Sequence, residues 1–191
     1  TAGIQAMVST VGKENVEISW HQRNSNTGSS RMCLQYTIDG VNWIDFDANA
    51  ANASNTNTIT NNESAYDNGL YIVDAGGTWF YRSASFASIQ EVNNNANFGI
   101  RIVSAFVSGT NAYGPANPSG SYGTGGTYRY DNITFSSTAG DIVLAPSFDP
   151  QAVFIVSLFP SLLLVQQQVH KSITQLMVMN QQSRQLYIQI Q

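Results

Sequence analysis

Apolar and polar residues alternate along most of the first two thirds of the chain. In VEISWHQ, Val16, Ile18 and Trp20 fall on one side and Glu17, Ser19 and His21 on the other. RMCLQYT puts Met32, Leu34 and Tyr36 on a common side. FGIRIVSAF does the same with Phe98, Ile100, Ile102 and Phe106, while Val103, Ala105 and Val107 leave its second side partly apolar. A period of two sends successive side chains to opposite faces of an extended strand, so these runs predict strands packed on a core from one side. No stretch before residue 150 carries a capped 3.6-residue period. Turn residues support the strands. Asp39-Gly40 stands between QYTI and VNWIDF, which predicts a tight hairpin with a type I′ turn, and Gly76-Gly77 precedes TWFYRSASF in the same manner.

Two stretches interrupt the alternation. NAANASNTNTITNNES, from Asn49 to Ser64, reads as one long polar loop. Gly109 to Gly126, with Pro115, Pro118 and six glycines, reads as another. Long loops in a compact domain are where ligand or partner contacts are expected. After Gly140 the composition turns apolar. Ala152 to Val165 is a 14-residue run containing Pro160, shorter than the roughly 20 residues a membrane-spanning helix needs. Leu186, Ile188 and Ile190 then alternate with Tyr187, Gln189 and Gln191. The expectation is an all-β protein: an antiparallel β-sandwich, jelly-roll-like, over residues 1–140, and a strand-rich C-terminal extension or small second sandwich over 141–191.

Composition narrows the classes. Charged residues are 10% of the chain against about 25% in an average soluble domain, and hydrophobic residues are 42%. Intrinsic disorder requires low hydrophobicity and high net charge, and neither holds. Net charge is −4 and the eight Lys and Arg are dispersed, which argues against nucleic acid and anionic membranes as partners. Cys33, the only cysteine, lies in the apolar run Met32-Cys33-Leu34 and reads as a small buried hydrophobe. A start at Thr1 and the Asn/Thr/Ser/Gly-rich, charge-poor composition suggest export to an extracellular or cell-surface location.

SYGTGGTYRYDNITF, from Ser121, poses a choice between a phosphate cradle and a turn. A cradle needs a helix after its glycines, so that N-terminal N–H groups face the anion. Tyr128, Tyr130, Ile133 and Phe135 favour a strand instead, so Gly123, Gly125 and Gly126 read as turn residues.

That strand carries a resemblance. Tyr130-Asp131-Asn132-Ile133-Thr134-Phe135 resembles the closing strand of secreted β-jelly-roll modules, the carbohydrate-binding and discoidin-like group. Ser9 to Phe46, with its Tyr-Thr-x-Asp-Gly-x-Asn-Trp segment, is similar to modules of large bacterial surface proteins, and Asn97 to Phe106 to their penultimate strand. The resemblance spans about residues 5–137. It implies a sandwich fold, a surface location and, at Asp131, a structural calcium ion. The residue alone favours a carboxylate hydrogen-bonded at the mouth of the sandwich over a calcium ligand, because calcium takes six to eight oxygens and only this one carries over from the resemblance.

Catalytic signals are weak. His21 and His170 lack metal-ligand spacing, no Gly-x-Ser-x-Gly elbow occurs, and Asp45 and Asp47 sit two apart on one strand rather than across a cleft. The reading is therefore of a non-enzyme. Exposed aromatics offer stacking surfaces for sugars: Trp79 and Tyr81 share a face, and Tyr113 and Tyr122 lie in the second long loop. These four are the candidate glycan contacts, against the alternative that Trp20, Trp43 and Trp79 belong to the core. Strand edges without charge meet little resistance to pairing between subunits. The favoured function is a structural or adhesive building block that self-associates or joins other surface proteins. The second is a glycan-binding module.

Overall fold

The computed structural model describes residues 2–140 and, beyond them, strands Ile155–Phe159, Leu162–Gln168, Thr174–Asn180 and Gln185–Ile190. Pro160 and His170 lie outside the described residues. The chain divides into two units, Thr1–Asp141 and Ile142–Gln191. The protein is all-β, with one 3-10 turn at Gln90–Val92 among the described residues. The first unit holds β1 (Gly3–Met7), β2 (Lys13–Asn24), β3 (Arg31–Thr37), β4 (Ile44–Asp45), β5 (Ala53–Asn57), β6 (Asn62–Glu63), β7 (Tyr71–Ile72), β8 (Phe80–Ser85), β9 (Gly99–Ser104) and β10 (Tyr128–Ala139). Sheet I runs β1-β9-β3-β4, with β7 also pairing with β3; sheet II runs β10-β2-β8-β5-β6. Every pairing is antiparallel.

The two sheets face each other over one core. Val16, Ile18, Trp20, Phe80 and Ala84 of sheet II meet Met32, Leu34, Ile100 and Ile102 of sheet I. Each fully buried aliphatic or aromatic side chain here is worth roughly 1.5–3 kcal/mol. Trp20 sets its edge against Tyr71 across the sandwich at 5.3 Å between ring centroids. Phe86 gathers Tyr36, Phe46 and Phe98 at 5.5, 5.1 and 5.4 Å. The alternation read in β2, β3 and β9 is the alternation observed, with one exception. Phe106 lies beyond the end of β9, 44% exposed, and rests on Tyr113.

The inner face of sheet II is less apolar than the pattern suggests. Trp20 Nε1 donates to Gln22 Oε1 at 3.3 Å, Gln22 Nε2 to Asn24 Oδ1 at 3.1 Å, and Asn24 Nδ2 to Ser29 O at 2.7 Å. This chain of buried bonds satisfies amides that would otherwise be costly inside. Arg82 is also fully buried. It donates to Ile72 O and lies over the Phe80 ring at 4.5 Å, and it has no acidic partner among the described residues. Burial holds its guanidinium down to about 9.

Three turns differ from expectation. Asn49–Ser64 is not one loop: β5 and β6 lie within it and extend sheet II, because the backbone of an Asn/Thr-rich segment pairs as well as any other once β8 offers an edge. Asp39-Gly40 does lie in a hairpin, since Tyr36 pairs with Ile44, but the connection is longer than two residues. There only Gly40 takes a positive φ, of 77°, while Asp39 Oδ1 accepts the N–H groups of Val41 and Asn42. Those N–H groups hold the Asp39 carboxyl well below the usual carboxylate range. Gly76-Gly77, by contrast, makes no hairpin; it carries the chain from β7 in sheet I to β8 in sheet II. The asparagine richness has a local reason as well. Among the described residues all five non-glycine positions with positive φ are asparagines: Asn15, Asn61, Asn68, Asn94 and Asn132. Asparagine tolerates this region better than other side chains. Asn132 sits where the register of β10 against β2 shifts, between Asp131 and Thr134.

In the second unit, β11 (Ile155–Phe159), β12 (Leu162–Gln168), β13 (Thr174–Asn180) and β14 (Gln185–Ile190) form one four-stranded antiparallel sheet in chain order. None of these four strands contains a charged residue. No helix among the described residues is long and apolar enough to cross a membrane.

Candidate functional site

Residues that share a cross-strand rung share a face, so register assembles the outer surfaces. On sheet II, Asp131 of β10 stands opposite His21 of β2, His21 opposite Tyr81 of β8, Tyr81 opposite Thr56 of β5, and Thr56 opposite Glu63 of β6. The His21 ring meets Tyr81 edge-on at 5.5 Å. Its Nδ1 is shielded from solvent without a hydrogen-bond partner among the described residues. One rung along, Arg129 stands directly opposite Arg23. Trp79 immediately precedes β8, its carbonyl accepting the Thr58 N–H at 3.2 Å, and continuing the strand's alternation past buried Phe80 puts it on the Tyr81 side. Arg23, Arg129, Trp79, Tyr81, His21 and Asp131 therefore share one outer surface.

Trp79 and Tyr81 are each half-buried. Tyr113 and Tyr122 form a separate pair in the long loop, stacked at 4.9 Å and 28°, with Phe106 against Tyr113 at 4.6 Å. Among the described residues no ring contact joins the two pairs. Of the other tryptophans, Trp20 is wholly buried, and Trp43 lies half-buried beneath the Arg101 guanidinium at 4.5 Å.

Asp131 is exposed, and its Oδ1 accepts the N–H of Asn132 at 2.8 Å. Its neighbour across the rung is an imidazole, and the next carboxylate on that rung, Glu63, lies at the far edge of the sheet. Among the described residues no three His, Cys, Asp or Glu gather as a metal ligand set.

The glycines before β10 open onto a strand. Gly126 is required by contact: a Cβ there would lie 2.6 Å from the Gly28 backbone. This close approach fastens the long loop beside the start of β10.

Sheet I carries a constellation that the sequence did not flag. Gln5, Arg101, Gln35 and Asp45 share a rung across β1, β9, β3 and β4. They line a shallow groove of about 620 Å³ together with Cys33 and Val103. Arg101 Nε donates to Gln35 Oε1, Gln35 Nε2 to Asp45 Oδ1, and Cys33 Sγ to the same Asp45 oxygen at 3.5 Å. Burial first, then the charge of Asp45 and its hydrogen bond, pushes the Cys33 thiol up to about 12. A thiol so held is protonated and unreactive at neutral pH. Asp47, also exposed, accepts the Asn49 N–H at 2.9 Å and lines a neighbouring recess with Asp45. Alternation alone places Gln35 with Cys33 and Arg101 with Val103; only the pairing of β3 with β9 and β4 brings the rung together.

Comparison with protein-family models, with curated proteins and with solved structures returns no match for this chain.

Proposed function

We propose that the protein is a non-catalytic building block of an extracellular surface or fibre assembly, joining copies of itself or other surface proteins through strand edges and the C-terminal segment. The observation that carries this reading is a contrast among the edges. β4, β6 and β7 are two residues long, and β10 carries Arg129, Asp131 and two register shifts; shortness, charge and bulges are the usual guards against pairing with another chain. β1, at one end of sheet I, and β11 and β14, at the ends of the C-terminal sheet, have neither a charge nor a proline. An unguarded edge accepts a strand from a neighbour by backbone hydrogen bonds. The test is light scattering and negative-stain imaging across a concentration series, beside a Gln5→Lys/Gln189→Lys variant. Polymers or discrete oligomers that dissociate in the variant are the expected result. A wild-type chain that remains monomeric throughout refutes the reading.

A second reading, glycan binding, is favoured by one observation: Trp79 and Tyr81 share the outer face of sheet II with arginine, histidine and aspartate side chains. Rings for stacking beside groups for hydroxyl recognition are what a sugar site requires.

A further inference from the structure

The chain has only eight Lys and Arg, yet two of them, Arg23 and Arg129, are placed face to face on adjacent strands. Like charges directly opposite one another destabilise a sheet. The remaining arginines of the first unit are each accounted for. Arg31 pairs with Asp67, Arg82 is buried against Phe80, and Arg101 bonds Gln35 and covers Trp43. Arg23 and Arg129 have no ion-pair or hydrogen-bond partner among the described residues. The nearest acid on this face, Asp131, is a rung away and satisfies its own neighbour's N–H.

The surroundings give the pair a shape. With Ser25, Gly77 and Thr127 the two arginines line a recess of about 70 Å³. That is far below the roughly 300 Å³ of a small-molecule pocket, and it suits a single anionic substituent rather than a whole ligand. Gly77, at φ 80°, makes the turn that leads into Trp79, and the Arg23 Nη2 lies 3.7 Å from where a Cβ on Gly77 would be. The guanidinium therefore leans toward the turn two residues before Trp79. Beyond Trp79, which immediately precedes β8, Tyr81 continues the aromatic surface on that strand.

We propose that this corner of sheet II is the anion subsite of an acidic glycan: Arg23 and Arg129 hold a carboxylate or sulfate substituent while a sugar ring lies on Trp79. The inference rests on the glycan-binding reading and deepens it to a substrate class. Guanidinium forks match planar or tetrahedral oxyanions with paired hydrogen bonds. Nucleic acid is a poorer occupant, because two arginines on a chain of net charge −4 give no track for a phosphate backbone.

The full chain is titrated with oligogalacturonate, with a sulfated oligosaccharide and with a neutral cello-oligosaccharide. Inorganic sulfate and single-stranded DNA serve as further probes. The expected result is saturable, salt-sensitive binding of an acidic oligosaccharide, with the first two probes separating carboxylate from sulfate as the substituent. Arg23→Gln or Arg129→Gln should each weaken that binding about tenfold. Trp79→Ala should also weaken it, and Asp131→Asn should tighten it by removing a nearby like charge. Melting temperatures close to wild type establish that the variants fold, and the opposite signs at Arg129 and Asp131 separate recognition from damage to the strand. Equal binding of the neutral sugar, insensitive to both arginines, overturns the anion subsite and leaves glycan binding intact. Sulfate or DNA bound as tightly as the oligosaccharides, without dependence on Trp79, overturns the sugar assignment. Failure to bind any of the sugars overturns both.

Discussion

On the outer face of sheet I, Arg101, Gln35, Asp45 and Cys33 bond to one another; on the outer face of sheet II, Arg23 and Arg129 bond to nothing among the described residues. The inner faces differ in a related way. Sheet I presents Met32, Leu34, Ile100 and Ile102, whereas sheet II interposes Gln22, Asn24 and Arg82 among its apolar residues. A polar group satisfied by its neighbours rigidifies the place where it sits and has little left to offer a ligand. A charged group left without a neighbour costs stability, and it is available. On the glycan-binding reading proposed above, sheet I holds the sandwich together and the exposed face of sheet II does the recognising.

The largest test of that division is in the core. Leu34→Ala, at a fully buried position of sheet I, should lower unfolding stability by about 3 kcal/mol through lost burial and the cavity left behind. Arg82→Met, at an equally buried position of sheet II, should do the opposite or nothing. It replaces an unpaired buried cation with an apolar side chain of similar length, and such replacements are often neutral or stabilising by about 1 kcal/mol or more. Urea denaturation of the two variants measures both. A large loss from Arg82→Met would show that its bond to Ile72 O and its contacts with Phe80 and Tyr71 outweigh its desolvation, and sheet II would then be as much a stability element as sheet I.

Alkaline titration comes next in size. Tyr71 and Tyr130 are pushed well above the ordinary tyrosine value, by burial first and then by the charge of a neighbouring tyrosine. Cys33 is pushed up to about 12 from 9.0. In each case the unfolded chain gives up its proton first. The stability these groups contribute is fully present below their unfolded values and is lost as pH rises toward the folded ones, with a slope of about 1.4 kcal/mol per pH unit for each group. Arg82 has the reverse sign. Its folded value of about 9 lies below the unfolded 12.5, so between these limits the folded state releases the proton first and stability rises with pH. Thermal melts from pH 8 upward should therefore fall, and should fall more steeply in Arg82→Met, which lacks the opposing contribution. Parallel curves for the two proteins would mean that Arg82 stays charged throughout.

Much of this was legible in the residues. β2 and β8 alternate strictly, so their inward residues and the outward placement of His21 and Tyr81 follow from a period of two, whereas β3 buries Cys33 between Met32 and Leu34. The segment Asn49–Ser64 was not legible, because β5 is held by backbone pairing with β8, and β6 by pairing with β5, while their side chains carry no apolar signal. Buried Gln22 and Asn24 resisted for the opposite reason: an amide at an inward position reads as a break in the pattern until its partners are seen. The arginine pair was half legible. Alternation puts Arg23 with His21 and Arg129 with Asp131, but nothing local states that β2 and β10, more than 100 residues apart in sequence, are neighbours. Apart from β5 and β6, pairing partners rather than strands were the missing information.

The smallest expected effect is the one that separates the two outer faces most cleanly. Gln35 bridges Arg101 and Asp45 on sheet I, accepting from one and donating to the other. Gln35→Leu removes both bonds from a partly exposed site, where water replaces much of what is lost, so stability should fall by only about 1 kcal/mol. It also frees the Arg101 guanidinium, which sits between the groove and Trp43. Acidic-oligosaccharide binding should be unchanged, because sheet I's network is spent on itself and the arginines that matter lie on the other sheet. Should Gln35→Leu strengthen or abolish that binding, the groove over Arg101 and Trp43 is the recognition surface. The roles of the two sheets would then be exchanged: self-bonded polar groups would mark the site, and the facing arginines of β2 and β10 would be a tolerated cost of the fold.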